Sequence, residues 1–225
     1  MIRIDVFSVF PNMVEGPLSD SIVHRARSSG RLELVVHDLR QWTHDRHRTV
    51  DDTPYGGGPG MVMKVAPIVE GVEAVLGDSV ATTRILLTSA GGARFTQAMA
   101  RDLVGQSRLA IICGHYEGID QRVVDVLGAE EVSIGDYVLT GGELPAAVIV
   151  DAVTRLLPGV ISAASIADES HSSDLVEYPH FTRPSVFRDH QVPEVLLSGN
   201  HAEIDRWRRR EASERTRRNR PERGS

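Results

Sequence analysis

The sequence predicts an α/β protein built on a parallel sheet. Through the first two thirds of the chain, short runs of β-branched residues alternate with segments of helical periodicity. Three glycine-rich turns each follow one of these β-branched runs. Strands separated by helices pair in parallel through right-handed crossovers, so we expect one parallel sheet.

The elements follow one another in order along the chain. We expect strands at residues 3–10, 32–38, 83–89, 108–114 and 130–140, the last with a turn inside it. We expect helices at residues 18–29, 66–76, 96–104, 119–127 and 143–157. Gly30 ends the first helix, and Pro158 with Gly159 ends the last. Residues 41–64 are too polar and glycine-rich for a core element, and a loop of that length is usually functional or disordered.

The composition changes after Gly159 to serine, alanine, aspartate and glutamate, which is typical of a linker. We therefore expect a first domain at residues 1–160, a flexible linker at 161–172 and a small, mainly helical domain at 173–225. The helical pattern of the last domain is clearest around Ile204 and Trp207.

Charge is distributed unevenly. The net charge is −6, yet residues 206–225 hold nine arginines against three glutamates and carry +6, which leaves −12 on residues 1–205. A basic segment on an acidic body favours contact with a polyanion at one end, although a solvated helix that only confers solubility has the same composition. Arg3 and Asp5 interrupt the first apolar run, so we expect neither a signal-peptide core nor a membrane span there. The single cysteine, Cys113, fits a reducing, cytoplasmic setting.

Several common sites are not indicated. The chain has neither a GxGxxG motif opening its first helix nor a GxxxxGK[ST] motif, which argues against a Rossmann dinucleotide site and a P-loop. His44 and His47 lie near aspartates, but they lack the paired spacing of zinc motifs, so we predict no metal site.

The three glycine-rich turns are residues 88–92, 114–120 and 134–143. In an open parallel sheet, ligands bind outside the carboxyl ends of the strands. Glycines there let a ligand approach the backbone, so we expect a pocket made largely of main chain and suited to reading adenine. The alternative is that each glycine merely closes a tight turn.

Five longer motifs carry a family resemblance. They are YGGGPGMVMK (55–64), CGHYEGIDQR (113–122), SIGDYVLTGGELPA (133–146), YPHFTRP (178–184) and VPEVLLSGNHAEIDRWR (192–208). Together the motifs resemble the bacterial tRNA (guanine-N1)-methyltransferases of the SPOUT superfamily, from Met1 almost to the end of the chain. The resemblance implies a deep trefoil knot, S-adenosylmethionine (AdoMet) as methyl donor, and methylation of guanosine 37 of tRNA after a preceding guanosine. It also implies a cytoplasmic homodimer with active sites at the subunit interface, in which residues 1–160 bind AdoMet and residues 173–225 bind tRNA.

The resemblance also assigns residues. The AdoMet contacts that it implies are Leu87, Ser89, Gly114, Tyr116, Glu117, Gly118, Ile134, Gly135, Tyr137, Leu139, Gly141, Gly142 and Pro145. Arg155 matches the family's arginine near O6 of the guanine. The family's base is an aspartate directly before a serine, contributed by the other subunit. A dependence on Mg²⁺ is implied by resemblance only.

The chain departs from the family pattern at the base. The usual Glu-Asp-Ser order reads Asp168-Glu169-Ser170, so Glu169 has the aligned place while Asp168 keeps the chemical identity. Both residues remain candidates. Two smaller departures are His115, where arginine is usual, and Ala90, where proline is usual.

Two other functions remain open. A SPOUT ribose 2′-O-methyltransferase needs no base near N1 and would leave the acidic linker unused. An RNA-binding module without catalysis is the other alternative, but it would have no use for Glu117 and Arg155.

Overall fold

The computed structural model of the protein describes residues 1–162 and 175–221. The chain divides into two compact units, Met1–Ile161 and Ser162–Ser225.

A five-stranded sheet runs through the first unit, with strand order β2-β1-β6-β5-β7. Its strands are β1 (Ile2–Ser8), β2 (Leu32–Asp38), β5 (Arg84–Arg94), β6 (Arg108–Cys113) and β7 (Glu130–Ser133). A separate two-stranded antiparallel pair consists of β3 (Asp51–Asp52) and β4 (Val62–Met63). The helices are α1 (Pro11–Glu15), α2 (Ser21–Ser28), α3 (Val65–Leu76), α4 (Gln97–Val104), α5 (Arg122–Leu127) and α6 (Glu143–Thr154).

Every pairing in the five-stranded sheet is parallel. The central strand β1 aligns Ile4 with Leu34 of β2 and with Leu109 of β6. Because the strands run the same way, the carboxyl ends of β5, β6 and β7 lie side by side at one edge. The predicted parallel α/β sheet is confirmed.

Helices cover both faces of this sheet because its strands are apolar on both sides. On one face, Ile4 and Val6 of β1 share a buried cluster with residues of α1, α2, α4 and α6. On the other face, Phe7 shares a cluster with residues of α3 and α5. A strand covered on both faces reads as a nearly continuous apolar run, which is the pattern of β6.

One charged group lies inside the sheet. The carboxylate of Asp5 is fully buried and accepts hydrogen bonds from His37 at 2.8 Å, Arg3 at 3.0 Å and Arg108 at 2.8 Å. Burial raises the pKa of Asp5, but the hydrogen bonds from these three residues outweigh it and hold the pKa well below its usual range. Asp5 thus links three strands of the sheet, β1, β2 and β6.

The sequence placed most elements correctly and misjudged two. The strand expected at 130–140 ends at Ser133, and residues 134–140 lie outside any strand. The strand expected at 83–89 continues to Arg94 with a bulge inside it. The long loop expected at 41–64 begins within a 3-10 turn at Leu39–Trp42 and contains the β3–β4 pair.

The second unit is short on strands. Val186–Phe187 (β8) and His190–Gln191 (β9) pair antiparallel, and Glu194–Leu197 (α7) and His201–Asn219 (α8) are its helices within the described range. Asn200 caps α8, because its side chain accepts a hydrogen bond from the Glu203 amide. Trp207 of α8 is buried and packs against Phe181, with 6.2 Å between ring centroids.

Candidate functional site

A cleft opens at the carboxyl ends of β5, β6 and β7. Its volume is about 390 Å³, within the roughly 300–1,000 Å³ typical of small-molecule sites. All thirteen residues that the resemblance assigned to the methyl donor line it: Leu87, Ser89, Gly114, Tyr116, Glu117, Gly118, Ile134, Gly135, Tyr137, Leu139, Gly141, Gly142 and Pro145. The structure therefore brings the three glycine-rich turns together.

The first turn is a bulge within β5. Thr88 and Ala93 both align with Val132 of β7, so residues 89–92 are extra on the β5 side. An extra segment in one strand leaves its backbone groups unpaired with the neighbouring strand. This bulge contributes Ser89, Ala90 and Gly91 to the cleft wall.

The second and third turns are tied to each other. The Gly142 amide donates a 2.6 Å hydrogen bond to the Gly114 carbonyl, and His115 forms an isolated bridge with Gly141. A Cβ atom at Gly142 would overlap Thr88 Oγ1 and lie 2.7 Å from the Gly114 nitrogen. The glycine is thus required by the close approach of the protein's own backbone, whereas the sequence pattern had suggested that it makes space for a ligand.

A buried carboxylate lies behind the third turn. Glu143, the first residue of α6, is fully buried. Its Oε1 accepts a 2.8 Å hydrogen bond from the Ser8 hydroxyl, and its Oε2 lies 3.3 Å from His115 Nδ1. The His115 ring packs 4.8 Å from the Phe10 ring and 4.9 Å from the Tyr116 ring, between centroids.

The second turn is supported from the loop 55–64. The Glu117 amide donates to the Met61 carbonyl at 3.0 Å, and the Met63 amide donates to the Gly118 carbonyl at 2.9 Å. Tyr116 is held at a positive φ of 57°. Burial raises the pKa of Tyr116, and the nearby Asp51 carboxylate of β3 raises it further. The loop 55–64 is therefore part of the framework of the cleft.

Of the three predicted catalytic residues, the described part of the chain contains only Arg155. Arg155 directly follows the last residue of α6 and does not line the cleft. The 12 residues of α6 span roughly 18 Å at about 1.5 Å per residue, and the cleft is at the opposite, N-terminal end. Asp168 and Glu169 fall within residues 163–174, outside the described residues.

Sequence reasoning missed three residues at the cleft wall: His115 lines the cleft, and Ser8 and Glu143 lie behind it. In the sequence, Ser8 lies only in a predicted strand, His115 is noted only as a departure from the family pattern, and Glu143 marks only the start of a predicted helix. Glu143 stands in the GGELPA motif at the N-terminus of a long apolar helix, where a carboxylate favours the helix dipole. That position is the one signal that could have indicated it.

Metal-binding and membrane-spanning features are absent from the described range. Residues 1–162 and 175–221 contain no group of three or more histidine, cysteine, aspartate or glutamate side chains placed to hold a metal ion. In this part of the chain, no helix has both the length and the apolar character needed to span a bilayer.

A three-layer α/β unit with a glycine-lined cleft at its strand ends has the architecture that parallel-sheet proteins use to bind small molecules. Residues 2–224 match the family described as tRNA (Guanine-1)-methyltransferase TrmD. The chain belongs to this family of enzymes, and the resemblance carried by its motifs is confirmed.

Curated relatives agree over nearly the whole chain. A protein of Thermomicrobium roseum named tRNA (guanine-N(1)-)-methyltransferase is 58% identical over 220 residues, covering 98% of this chain and 82% of the relative. Proteins of the same name from Chloroflexus aurantiacus and Moorella thermoacetica are 56% and 54% identical. Both alignments cover 98% of this chain, with 87% and 89% of the respective relatives.

Proposed function

We propose that this enzyme transfers a methyl group from AdoMet to N1 of guanosine 37 in tRNA, next to the anticodon and after a preceding guanosine, as a cytoplasmic homodimer. The observation that carries the proposal is that all thirteen residues assigned to the methyl donor line one cleft. Family membership and the names of the relatives support tRNA guanine as the acceptor.

The residues of the cleft fit AdoMet. Leu87, Ile134, Leu139 and Pro145 offer apolar surface for an adenine ring, while the glycine-rich turns offer amides and carbonyls for its polar edge. Glu117 also lines the cleft, and its carboxylate complements a ligand with a net positive charge. When bound, AdoMet supplies an electrophilic methyl group.

The acceptor chemistry requires two protein groups. N1 of guanine carries a proton that must leave as the methyl group arrives, and negative charge then spreads toward O6. A carboxylate from Glu169 or Asp168 takes the proton, and the guanidinium of Arg155 stabilises the charge at O6. Position 169 is our first choice for the base, because it precedes Ser170 as the family's base precedes its serine.

The position of Arg155 supports the homodimer. The roughly 18 Å length of α6 separates it from its own chain's cleft. Leu144, Val148 and Arg155 are spaced by four and seven residues, so they share one helix face. The side chains of Leu144 and Val148 are half exposed on that face. We propose that a second copy covers this apolar face and that Arg155 serves the partner's cleft.

The proposal extends to the architecture. The first unit corresponds to the AdoMet-binding domain, with its carboxyl-terminal sheet strands threaded into a trefoil knot, as in the SPOUT superfamily. The second unit is the tRNA-binding domain, and residues 161–172 link the two. In support, the exposed basic residues of α8 lie in the second unit.

The test is a methyl-transfer assay with tritiated AdoMet and tRNA transcripts. We expect label in a transcript with guanosine at 36 and 37, and none when guanosine 37 is replaced by adenosine. Digestion to nucleosides separates N1-methylguanosine from a 2′-O-methylated nucleoside, which would instead support the ribose methyltransferase. Binding of the transcript without transfer would support an RNA-binding module. Repeating the assay with a chelator tests the magnesium requirement implied by the resemblance.

A further inference from the structure

Glu143 is a buried carboxylate to which the proposed chemistry gives no role. Its side chain is fully buried and does not line the cleft. Removing a carboxylate from water is costly unless hydrogen bonds or an opposite charge compensate. Ser8 supplies one neutral hydrogen bond to Oε1. The remaining oxygen, Oε2, faces His115.

His115 is well placed to compensate the second oxygen. A carboxylate only accepts hydrogen bonds, so Nδ1 of the imidazole is the donor in the 3.3 Å contact. The ring is held between Phe10 and Tyr116, and its side chain is only 17% exposed. Burial and the Glu143 carboxylate both raise the pKa of the adjacent Cys113 thiol, which therefore stays protonated beside the pair.

His115 lines the cleft, and Glu143 lies directly behind the lining. A Cβ atom at Gly141 would overlap both Glu143 Oε2 and His115 Nδ1. The His115 backbone bridges to Gly141, and the neighbouring Gly114 and Gly142 are hydrogen-bonded. Since Gly114, Gly141 and Gly142 all line the cleft, a shift of the pair shifts the cleft wall.

We infer that His115 and Glu143 form a positioning pair for the methyl-donor cleft: the imidazole N–H fixes the buried carboxylate, and the carboxylate in turn fixes the Gly141–Gly142 turn. The inference rests on the proposed function, because it concerns the same cleft. It assigns a role to His115, one of the positions at which the sequence departs from the family pattern.

The test compares two substitutions of His115 in the full-length enzyme. His115→Asn keeps an N–H donor near the position of Nδ1, whereas His115→Leu keeps the volume without the donor. We expect His115→Leu to raise the dissociation constant for AdoMet by about 10- to 100-fold, the range for losing a hydrogen bond to a charged group. We expect His115→Asn to recover most of that loss, and the KM for tRNA to change little in both.

His44→Leu is the matched control. His44 and Glu70 form a histidine–carboxylate pair at 2.7 Å on the surface, where both side chains are exposed. Exposed ion pairs contribute little, so this variant should bind AdoMet as the wild type does. If His115→Leu fails to fold, the double variant His115→Leu/Glu143→Gln replaces it, because that variant removes the buried negative charge together with its donor. It too should bind AdoMet weakly.

The outcomes separate the inference from the proposed function. Wild-type protein that does not bind AdoMet overturns the proposed function. Wild-type binding together with equally tight binding by His115→Leu, or by the double variant, overturns the positioning pair alone. Equal losses in His115→Asn and His115→Leu, or parallel losses in AdoMet and tRNA affinity, also overturn it, since a donor-specific role requires rescue by asparagine.

Discussion

The Gly142 amide donates a 2.6 Å hydrogen bond to the Gly114 carbonyl and so joins the end of β6 to the start of α6. Thr88 of β5 completes the junction, because its hydroxyl accepts from the Gly114 amide and donates to the Ile112 carbonyl, both at 3.2 Å. Residues from β5, the end of β6 and the start of α6 thus meet within one hydrogen-bonded cluster. The cleft wall depends on this close approach.

Gly142→Ala should disrupt that cluster. The backbone angles of Gly142 suit any residue, so the added methyl group acts only by overlap with Thr88 Oγ1 and the Gly114 nitrogen. We expect the free energy of unfolding to fall by about 1–3 kcal/mol, the usual cost of overpacking, and AdoMet binding to be abolished. Gly91→Ala is the control, since its Cβ would meet only Ser89 Oγ at 3.9 Å. Calorimetry and denaturant unfolding measure both effects, and equal stability of the two variants would contradict the explanation.

Asp5 should make the fold sensitive to acid. Burial raises the pKa of Asp5 in the folded protein, but hydrogen bonds from His37, Arg3 and Arg108 lower it by more. The folded-state pKa is therefore below the unfolded value. The stabilising contribution of Asp5 is therefore present above the unfolded value of about 4 and is lost as the pH falls below it. Asp5→Asn should cost roughly 3 kcal/mol at neutral pH, the low end for a broken buried pair, because both arginines keep contact with water.

The measurement is urea unfolding between roughly pH 2 and pH 7, a range that spans the unfolded pKa of an aspartate. Asp5→Asn should lose less stability than the wild type on acidification from about pH 4. Asp102→Asn, which breaks an exposed pair with Arg84, should follow the wild-type pH curve. Parallel acid curves for Asp5→Asn and wild type would show that another group controls acid unfolding.

The sequence was sufficient for the order of the elements along the chain and for the location of the cleft. Runs of β-branched residues located β1, β2 and β6, and helical periodicity located the helices, because those elements bury one face or both. The strand-end glycines located the cleft, because parallel strands bring their carboxyl ends to one edge.

Local sequence patterns could not predict interactions between residues far apart in the chain. Ser8 and Glu143 are separated by 135 positions, and only the sheet topology brings them together. The bulge at 89–92 resembles the end of a strand in the sequence, because an insertion in one strand is visible only against its partner β7. The distance of Arg155 from the cleft likewise depends on the length and direction of α6.

The two carboxylates before Ser170 should differ in importance. The base must reach N1 of a guanine held beside the methyl donor, so place in the chain matters more than side-chain length. We expect Glu169→Gln to reduce the single-turnover rate by about two to four orders of magnitude, with AdoMet and tRNA binding retained, and Asp168→Asn to reduce it much less. The reverse ranking would assign the base to Asp168, and near-normal rates in both variants would mean that the residues replace each other or that neither is the base.

The basic helix α8 should bind the tRNA backbone. Arg206, Arg210 and Arg217 are exposed and share one face, because their spacings of four, seven and eleven residues are near whole turns. Replacing all three with glutamine should weaken tRNA binding and reduce the log–log salt slope by roughly 0.7–0.9 for each phosphate that is no longer neutralised, because fewer counterions are released.

The double variant Arg25→Gln/Arg27→Gln removes exposed charges from α2 and should leave the slope nearly unchanged. Filter binding across salt concentrations measures both slopes, and AdoMet affinity should stay constant in each variant. An unchanged slope in the triple variant would mean that α8 is only a solvated surface, and an equal decrease in both variants would mean that tRNA responds to overall charge.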